Sequence, residues 1–239
     1  MSNTKLSPER CAILACSSLR LHVDAAQAKM GTRFPVVELD RRLHAEPERM
    51  RARIVEALDA LPAECDTVLV AMGYCGGSWS RVPLTRRVVI PKVDDCVTLL
   101  LHTDDAPQVD LKLPGHMYFR DCDTGAYSME ALKDKICRDY GMEYGASIFG
   151  GWFQDYTHAD IIDTGAYDCY AEDFVEEAQR SADLIRCALG YVEGSNRMLE
   201  KLVSERWDAQ FLVFQPGNES AARAFGLRDR PDFPAEPSE

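Results

Sequence analysis

Residues 67–77 read Thr-Val-Leu-Val-Ala-Met-Gly-Tyr-Cys-Gly-Gly, and this stretch decides the class of fold. Its first six residues form a short apolar run, which is typical of a strand buried on both faces. The run stops at a turn that contains Gly73, Gly76 and Gly77. A buried strand that ends in such a turn predicts a sheet covered by helices, because a half-exposed strand would alternate apolar and polar residues.

Similar apolar runs occur on both sides of this stretch. They predict further strands at residues 11–16, 34–39, 87–91, 116–119, 159–163 and 210–214. Helices are predicted between the strands, at residues 18–30, 47–61, 97–101, 129–140 and 174–189. Strands that alternate with helices at this spacing require crossover connections. We therefore expect an α/β fold of three layers, with an open, mainly parallel, Rossmann-like sheet and helices on both faces.

Length and composition favour one domain of ordinary size. The chain has 239 residues, of which 46% are hydrophobic, and this is enough for one sizeable core. No break in the sequence marks a second domain, so we expect a single α/β domain over residues 1–218. Residues 219–239 are polar and rich in proline, which predicts a mobile tail.

Charge and cysteine content narrow the partners and the compartment. The net charge of −12 argues against nucleic acid and anionic membranes, because both are themselves negatively charged. No apolar run approaches the ~20 residues of a membrane span. The first ten residues are polar, so we expect no signal peptide. Nine cysteines without an export signal favour reduced thiols, metal ligation or redox chemistry, and a cytoplasmic location. We expect a small-molecule substrate.

Cysteines follow three of the predicted strands, at Cys16, Cys75 and Cys96. Ligands of open parallel sheets bind beyond the carboxyl ends of the strands. Cys96 also begins a predicted helix, whose dipole favours the thiolate, although the carboxylates of Asp94 and Asp95 oppose it unless a cation lies nearby. We therefore predict a metal held by Cys16, Cys75 and Cys96. Asp95 would be a fourth ligand or would orient one, and Asp95 and Cys96 would be catalytic.

Packing is the plainer interpretation of these residues. A cysteine at the end of a buried strand often only fills the core. Gly73, Gly76 and Gly77 are candidates for binding a cofactor, but a tight turn needs glycines at positive φ with or without a ligand. Their spacing matches neither the dinucleotide fingerprint nor the phosphate loop. Trp152 follows two glycines and is a further cofactor-binding candidate, although packing also explains it.

Two motifs of the chain resemble those of a bacterial and archaeal family, domain-of-unknown-function family 1638. Residues 89–100, Val-Ile-Pro-Lys-Val-Asp-Asp-Cys-Val-Thr-Leu-Leu, resemble its block VIPRCHDCITLLLG, and residues 73–77 resemble its GLCGNG loop. The resemblance implies functional roles for Cys75, Asp95 and Cys96. These are residues that the strand ends also indicate.

The chain departs from the family pattern inside the first motif. Asp94 stands where the family usually has histidine, and Val93 stands where a second cysteine is common. If that histidine is a metal ligand in relatives, Asp94 would have to replace it here. Family members are often encoded near corrinoid-dependent methyltransferases. The resemblance therefore implies one-carbon metabolism, with a corrinoid protein as a potential partner.

Three functions are compatible with these features. The first is a metal-thiolate enzyme of methyl or one-carbon transfer that uses zinc or an iron–sulfur cluster, with a corrinoid supplied by a partner. The second is a non-catalytic accessory or binding protein for a corrinoid methyltransferase system. The third is a metal-free isomerase in which Cys75 and Cys96 act as acid and base.

Overall fold

The computed structural model describes residues 6–218 and 222–225. The strands in this part of the chain are β1 (Cys11–Cys16), β2 (Val36–Leu39), β3 (Thr67–Ala71), β4 (Arg87–Pro91), β5 (His116–Phe119), β6 (His158–Asp163), β7 (Ala188–Glu193) and β8 (Phe211–Phe214). The α-helices are α1 (Arg20–Met30), α2 (Pro47–Asp59), α3 (Cys96–Leu101), α4 (Met129–Tyr140), α5 (Met142–Phe153), α6 (Glu172–Leu184), α7 (Arg197–Val203) and α8 (Ala222–Phe225). Short 3-10 helices occupy Ser17–Leu19, Arg41–Ala45 and Gly125–Tyr127.

The chain divides into two compact units, each with a sheet of its own. Among the described residues, the first unit comprises 6–99, 104–110, 198–218 and 222–225, and the second comprises 100–103 and 111–197. The single α/β domain expected over residues 1–218 stays a prediction.

The first unit contains a five-stranded sheet in the order β2-β1-β3-β4-β8. Its first four strands are parallel, and β8 pairs antiparallel with β4. The chain passes from β1 to β2 on one side and then returns to β3 on the other, so the direction of winding reverses at β1. All residues of β1 and β3 are buried, which agrees with their unbroken apolar sequences.

The second unit contains a three-stranded parallel sheet in the order β5-β6-β7. Its core joins β5 and β6 to apolar residues of α4, α5 and α6. The principal buried side chains are Phe119, Met129, Ile136, Phe149, Phe153, Ile161, Ala178 and Ala182. None of the helices in the described part of the chain is long and apolar enough to cross a membrane.

The predicted α/β class, with mainly parallel strands and helices around them, is confirmed, but two details differ. The strands form two sheets where one was expected. The helix predicted over residues 174–189 is wrong at its end, because α6 stops at Leu184 and residues 188–193 form β7. Arg186 adopts a positive φ of 59°, which breaks the helix. Gly190 therefore lies in a strand instead of ending a helix.

The expected tail lies outside the described residues except for α8. Phe225, at the end of α8, is fully buried, and its ring lies 4.7 Å from the ring of Tyr74. Phe225 therefore packs within the first unit.

Candidate metal centre

Parallel pairing brings the ends of β1, β2 and β3 to one edge of the first sheet. Cys16, the last residue of β1, is in register with Leu39, the last residue of β2. Ala15 is in register with Ala71 at the end of β3. The segments that follow these strands therefore start at the same level, as is usual for ligand sites of parallel sheets.

Three side chains from separate segments meet at this edge. The Sγ atoms of Cys16 and Cys96 and a ring nitrogen of His44 all lie within 4.8 Å of one another. Cys16 ends β1, His44 lies in the 3-10 helix after β2, and Cys96 begins α3 after β4. The two cysteines are buried, and His44 is the most accessible of the three. This group can hold a metal ion.

Two hydrogen bonds fix the segment that carries His44. The Asp40 carboxylate accepts a hydrogen bond of 2.9 Å from the Arg42 N–H and so caps the start of the 3-10 helix. The hydroxyl of Ser17 accepts a hydrogen bond of 3.0 Å from the Arg41 N–H. Because Ser17 directly follows Cys16, this second bond ties the segment of His44 to the end of β1.

A close backbone approach brings Cys96 towards Cys16. β3 lies between β1 and β4 in the sheet, so the chain after β4 must pass close to the end of β3. The N–H of Cys75 donates to the Asp94 carbonyl at 2.7 Å. A Cβ atom at Gly73 would lie 2.6 Å from the backbone N and Cα of Asp95. Glycine is therefore needed at residue 73 for packing between two backbone segments.

Asp95 acts as a helix cap in the first turn of α3. Its Oδ1 accepts a hydrogen bond of 2.8 Å from the N–H of Thr98. Asp95 is not one of the three residues whose ligand atoms come together. The predicted catalytic or ligand role of Asp95 has no test in this geometry and stays a prediction.

The environment of Cys16 disfavours its thiolate. The hydrogen bond that the Cys16 thiol donates to Cys96 is the largest effect that raises the pKa of Cys16, and burial adds to it. His44 and Ser18 lower that pKa, and the Ser18 hydroxyl lies 3.0 Å from the Cys16 sulfur. The net pKa lies well above the ordinary value for cysteine. A divalent cation is the kind of charge that would hold both thiols deprotonated.

The structure brings together two of the three predicted cysteine ligands. Cys16 and Cys96 are in the group, whereas Cys75 is buried in the neighbouring turn and has a positive φ of 49°. Gly76 and Gly77 also have positive φ values, 65° and 91°, as the turn requires. A ligand role for Cys75 and a cofactor role for these glycines stay predictions.

Trp152 lies in the second unit, on α5, and 58% of its surface is exposed. It therefore does not fill a core, which was the plainer interpretation of this residue. Nothing in its surroundings tests the predicted cofactor role, which stays a prediction.

Sequence reasoning missed His44. The signal was present, because residues 40–45 follow the predicted strand 34–39 and must start at the same edge as the residues after β1. The strand pattern of β2 is weaker than that of the apolar runs, because β2 is half-exposed and has the sequence Val-Val-Glu-Leu. A histidine five residues beyond a strand also has no spacing motif to mark it.

Two thiols and one imidazole form a donor set that suits zinc. Zinc binds cysteine sulfur at ~2.3 Å and histidine nitrogen at ~2.0–2.1 Å, usually with four ligands. Three protein ligands are typical of catalytic zinc sites, in which the fourth position is left to water or substrate. Soft sulfur donors disfavour magnesium and calcium, which prefer oxygen.

Comparison with known proteins identifies a family and nothing more. A family model described as "Protein of unknown function (DUF1638)" matches residues 38–203, which is well over half of the chain. The matched region includes His44 and Cys96, and Cys16 precedes it. No curated protein and no solved structure matches the chain.

Proposed function

The chain belongs to the family Protein of unknown function (DUF1638), and we propose that it is a metal-thiolate enzyme of methyl or one-carbon transfer. The observation that supports this proposal is the convergence of Cys16, His44 and Cys96 to within 4.8 Å at the carboxyl edge of a parallel sheet. The family description names no activity, so the argument rests on these three side chains.

Zinc is the metal that we propose. A catalytic zinc site needs three protein ligands, and two sulfurs with one nitrogen are a known set. An iron–sulfur cluster with one free iron would need three thiolates, and the group offers two. His44 is less buried than the two cysteines, and we place the fourth ligand on its side of the group.

The proposed chemistry is activation of a thiol, or of another acceptor, at the fourth position of the metal. Coordination to zinc lowers the pKa of a bound group, so the acceptor would react as an anion at neutral pH. The methyl group would come from a corrinoid bound by a partner protein. The bond from the methyl carbon to its carrier would break as the bond to the acceptor forms, and the acceptor proton would leave to solvent.

Metal content tests the centre directly. We expect one zinc per chain in anaerobically purified protein, and at least ~10-fold weaker zinc binding in Cys16→Ser, His44→Ala and Cys96→Ser, because each loses a ligand. Cys137→Ser is the matched control, since Cys137 is buried in the second unit and lies outside the group. Elemental analysis and a competing chelator measure both quantities. Wild-type protein that binds no metal would contradict the proposal.

The reaction is tested by methyl transfer from a methylated corrinoid to a small thiol, followed in the visible spectrum. We expect turnover that a chelator abolishes and that zinc restores. Methyl transfer that survives complete removal of metal would contradict the proposed role of zinc. Saturable corrinoid binding without any turnover would support the accessory protein.

A further inference from the structure

Arg51, on the first half of α2, contacts the glycine turn beside the metal centre. One terminal nitrogen of its guanidinium donates to the Gly77 carbonyl at 3.3 Å. The other terminal nitrogen lies 3.6 Å from Glu48, whose side chain is 88% exposed, so this ion pair is weak. The Nε atom is buried and has no hydrogen-bond partner in the described part of the chain. Arg86 and Arg87 also have buried Nε atoms of this kind, and the one at Arg51 is distinguished by its contact with the turn after β3.

A second donor without an acceptor lies on the residue that Arg51 contacts. Gly77 is buried, and the described residues offer no acceptor to its backbone N–H. Buried backbone N–H groups are almost always paired, so this one also points to a missing partner. The Arg51 Nε and the Gly77 N–H belong to two residues in direct contact. Two unpaired donors at one contact indicate that a ligand supplies the acceptor.

The turn that contains Gly77 lies between the segments that carry two of the metal-binding side chains. At one end, Gly73 packs against the backbone of Asp95, the residue before Cys96. Further along, Gly76 lies 3.7 Å, measured from an ideal Cβ position, from Pro47, three residues beyond His44. The turn that Arg51 contacts is therefore packed against the segments that carry His44 and Cys96.

We propose that Arg51 and the Gly77 N–H bind an oxyanion of the substrate, a carboxylate or a phosphate, next to the metal. This inference rests on the proposed function, because it assigns the substrate of the same centre to the class of anionic thiols. An arginine supplies a fixed positive charge and several donors that match an oxyanion. A neutral thiol would leave both donors unpaired, so the site selects against it.

The test compares two small thiols bound to cobalt(II)-substituted protein, in which the sulfur-to-cobalt absorption reports ligation. We expect 3-mercaptopropionate to bind at least ~10-fold more tightly than 2-mercaptoethanol to the wild type, as expected for a charge-assisted hydrogen bond. Arg51→Gln should abolish this preference. Arg53→Gln, on the same helix and paired with Glu56, should keep it. An equal preference in the wild type and Arg51→Gln would overturn the anion site while leaving the metal centre intact.

A measurement without metal separates the two proposals. Inorganic phosphate is titrated into metal-free protein by calorimetry, and we expect Arg51→Gln to weaken its binding at least ~10-fold, with Arg53→Gln unchanged. If cobalt does not bind at all, the proposed function fails, and the phosphate titration still decides on the oxyanion. Absence of phosphate binding to the wild type would overturn the inference.

Discussion

Asp95 and Cys96 are neighbours in sequence but have different roles in the structure. The carboxylate of Asp95 caps α3 through the N–H of Thr98, whereas the sulfur of Cys96 faces Cys16 and His44. The cap fixes the first turn of α3, and Cys96 is the first residue of that turn. Asp95 is therefore connected to the group of Cys16, His44 and Cys96 through the backbone that carries Cys96.

Two substitutions of Asp95 distinguish its role as a helix cap from a direct electrostatic effect on the metal. We expect Asp95→Ala to lower the free energy of unfolding by about 1 kcal/mol, because an N-cap acceptor is lost. Asp95→Asn should remain close to the wild type, since asparagine caps equally well. Chemical denaturation measures both. An equal loss of stability in the two variants would contradict the cap. A ~10-fold to 100-fold loss of zinc affinity in Asp95→Asn would show that the charge itself acts on the metal.

At the scale of elements, the site depends on how closely the turn after β3 approaches the chain after β4. The apolar runs of β1, β3 and β4 were predictable from sequence, and so was the gathering of the segments behind them. The close approach at Gly73 could not be predicted from sequence, because a glycine required by a backbone contact cannot be distinguished in sequence from a glycine required by a turn. β7 and α5 were missed because each carries glycines at positions where none usually occurs.

Gly73→Ala tests the close approach. The added Cβ would meet backbone atoms of Asp95 at 2.6 Å, and no side-chain rotation relieves that contact. We expect a loss of about 1–3 kcal/mol in the free energy of unfolding, together with weaker zinc binding, because Asp95 and Cys96 must move. Gly150→Ala on α5 is the control, since no atom lies within 4 Å of its Cβ position. That variant should be neutral or more stable by up to ~1 kcal/mol. Zinc binding unchanged in Gly73→Ala would contradict the role of this contact.

At the scale of the whole molecule, the first unit is assembled from stretches that are far apart in the chain. Lys201 on α7 links them, because its buried ammonium donates to Asp105, to Asp208 at 2.5 Å and to Gln210 at 2.7 Å. A sequence read from left to right does not reveal that residues 104–110 and 198–218 belong with the first strands. The family resemblance, in contrast, was found from local motifs, and the family match confirms it.

The Lys201 network predicts a dependence of stability on pH. Burial raises the pKa of Asp208, but the bond from Lys201 and that from the Gln210 N–H outweigh it, so the pKa lies below the ordinary value. Because the pKa of Asp208 is lower in the folded than in the unfolded state, its ionised carboxylate stabilises the fold at pH values above the unfolded pKa of 3.8. This stabilisation is lost as the pH falls through the folded pKa. We expect Lys201→Met to lower the free energy of unfolding by about 1–3 kcal/mol at pH 7. As the pH is lowered below about 5, the free energy of unfolding of Lys201→Met should fall less than that of the wild type. Urea titrations at several pH values measure this difference.

The antiparallel pairing of β8 with β4 has a consequence for biosynthesis. When β4 leaves the ribosome, its outer edge has no partner, and the whole second unit must be translated before β8 appears. At ~5–20 residues per second this interval lasts on the order of 10 s. An apolar strand with an open edge can pair with other chains during that time. Slower translation of the second unit should therefore increase aggregation of the nascent chain, and chaperones that cover strand edges should reduce it.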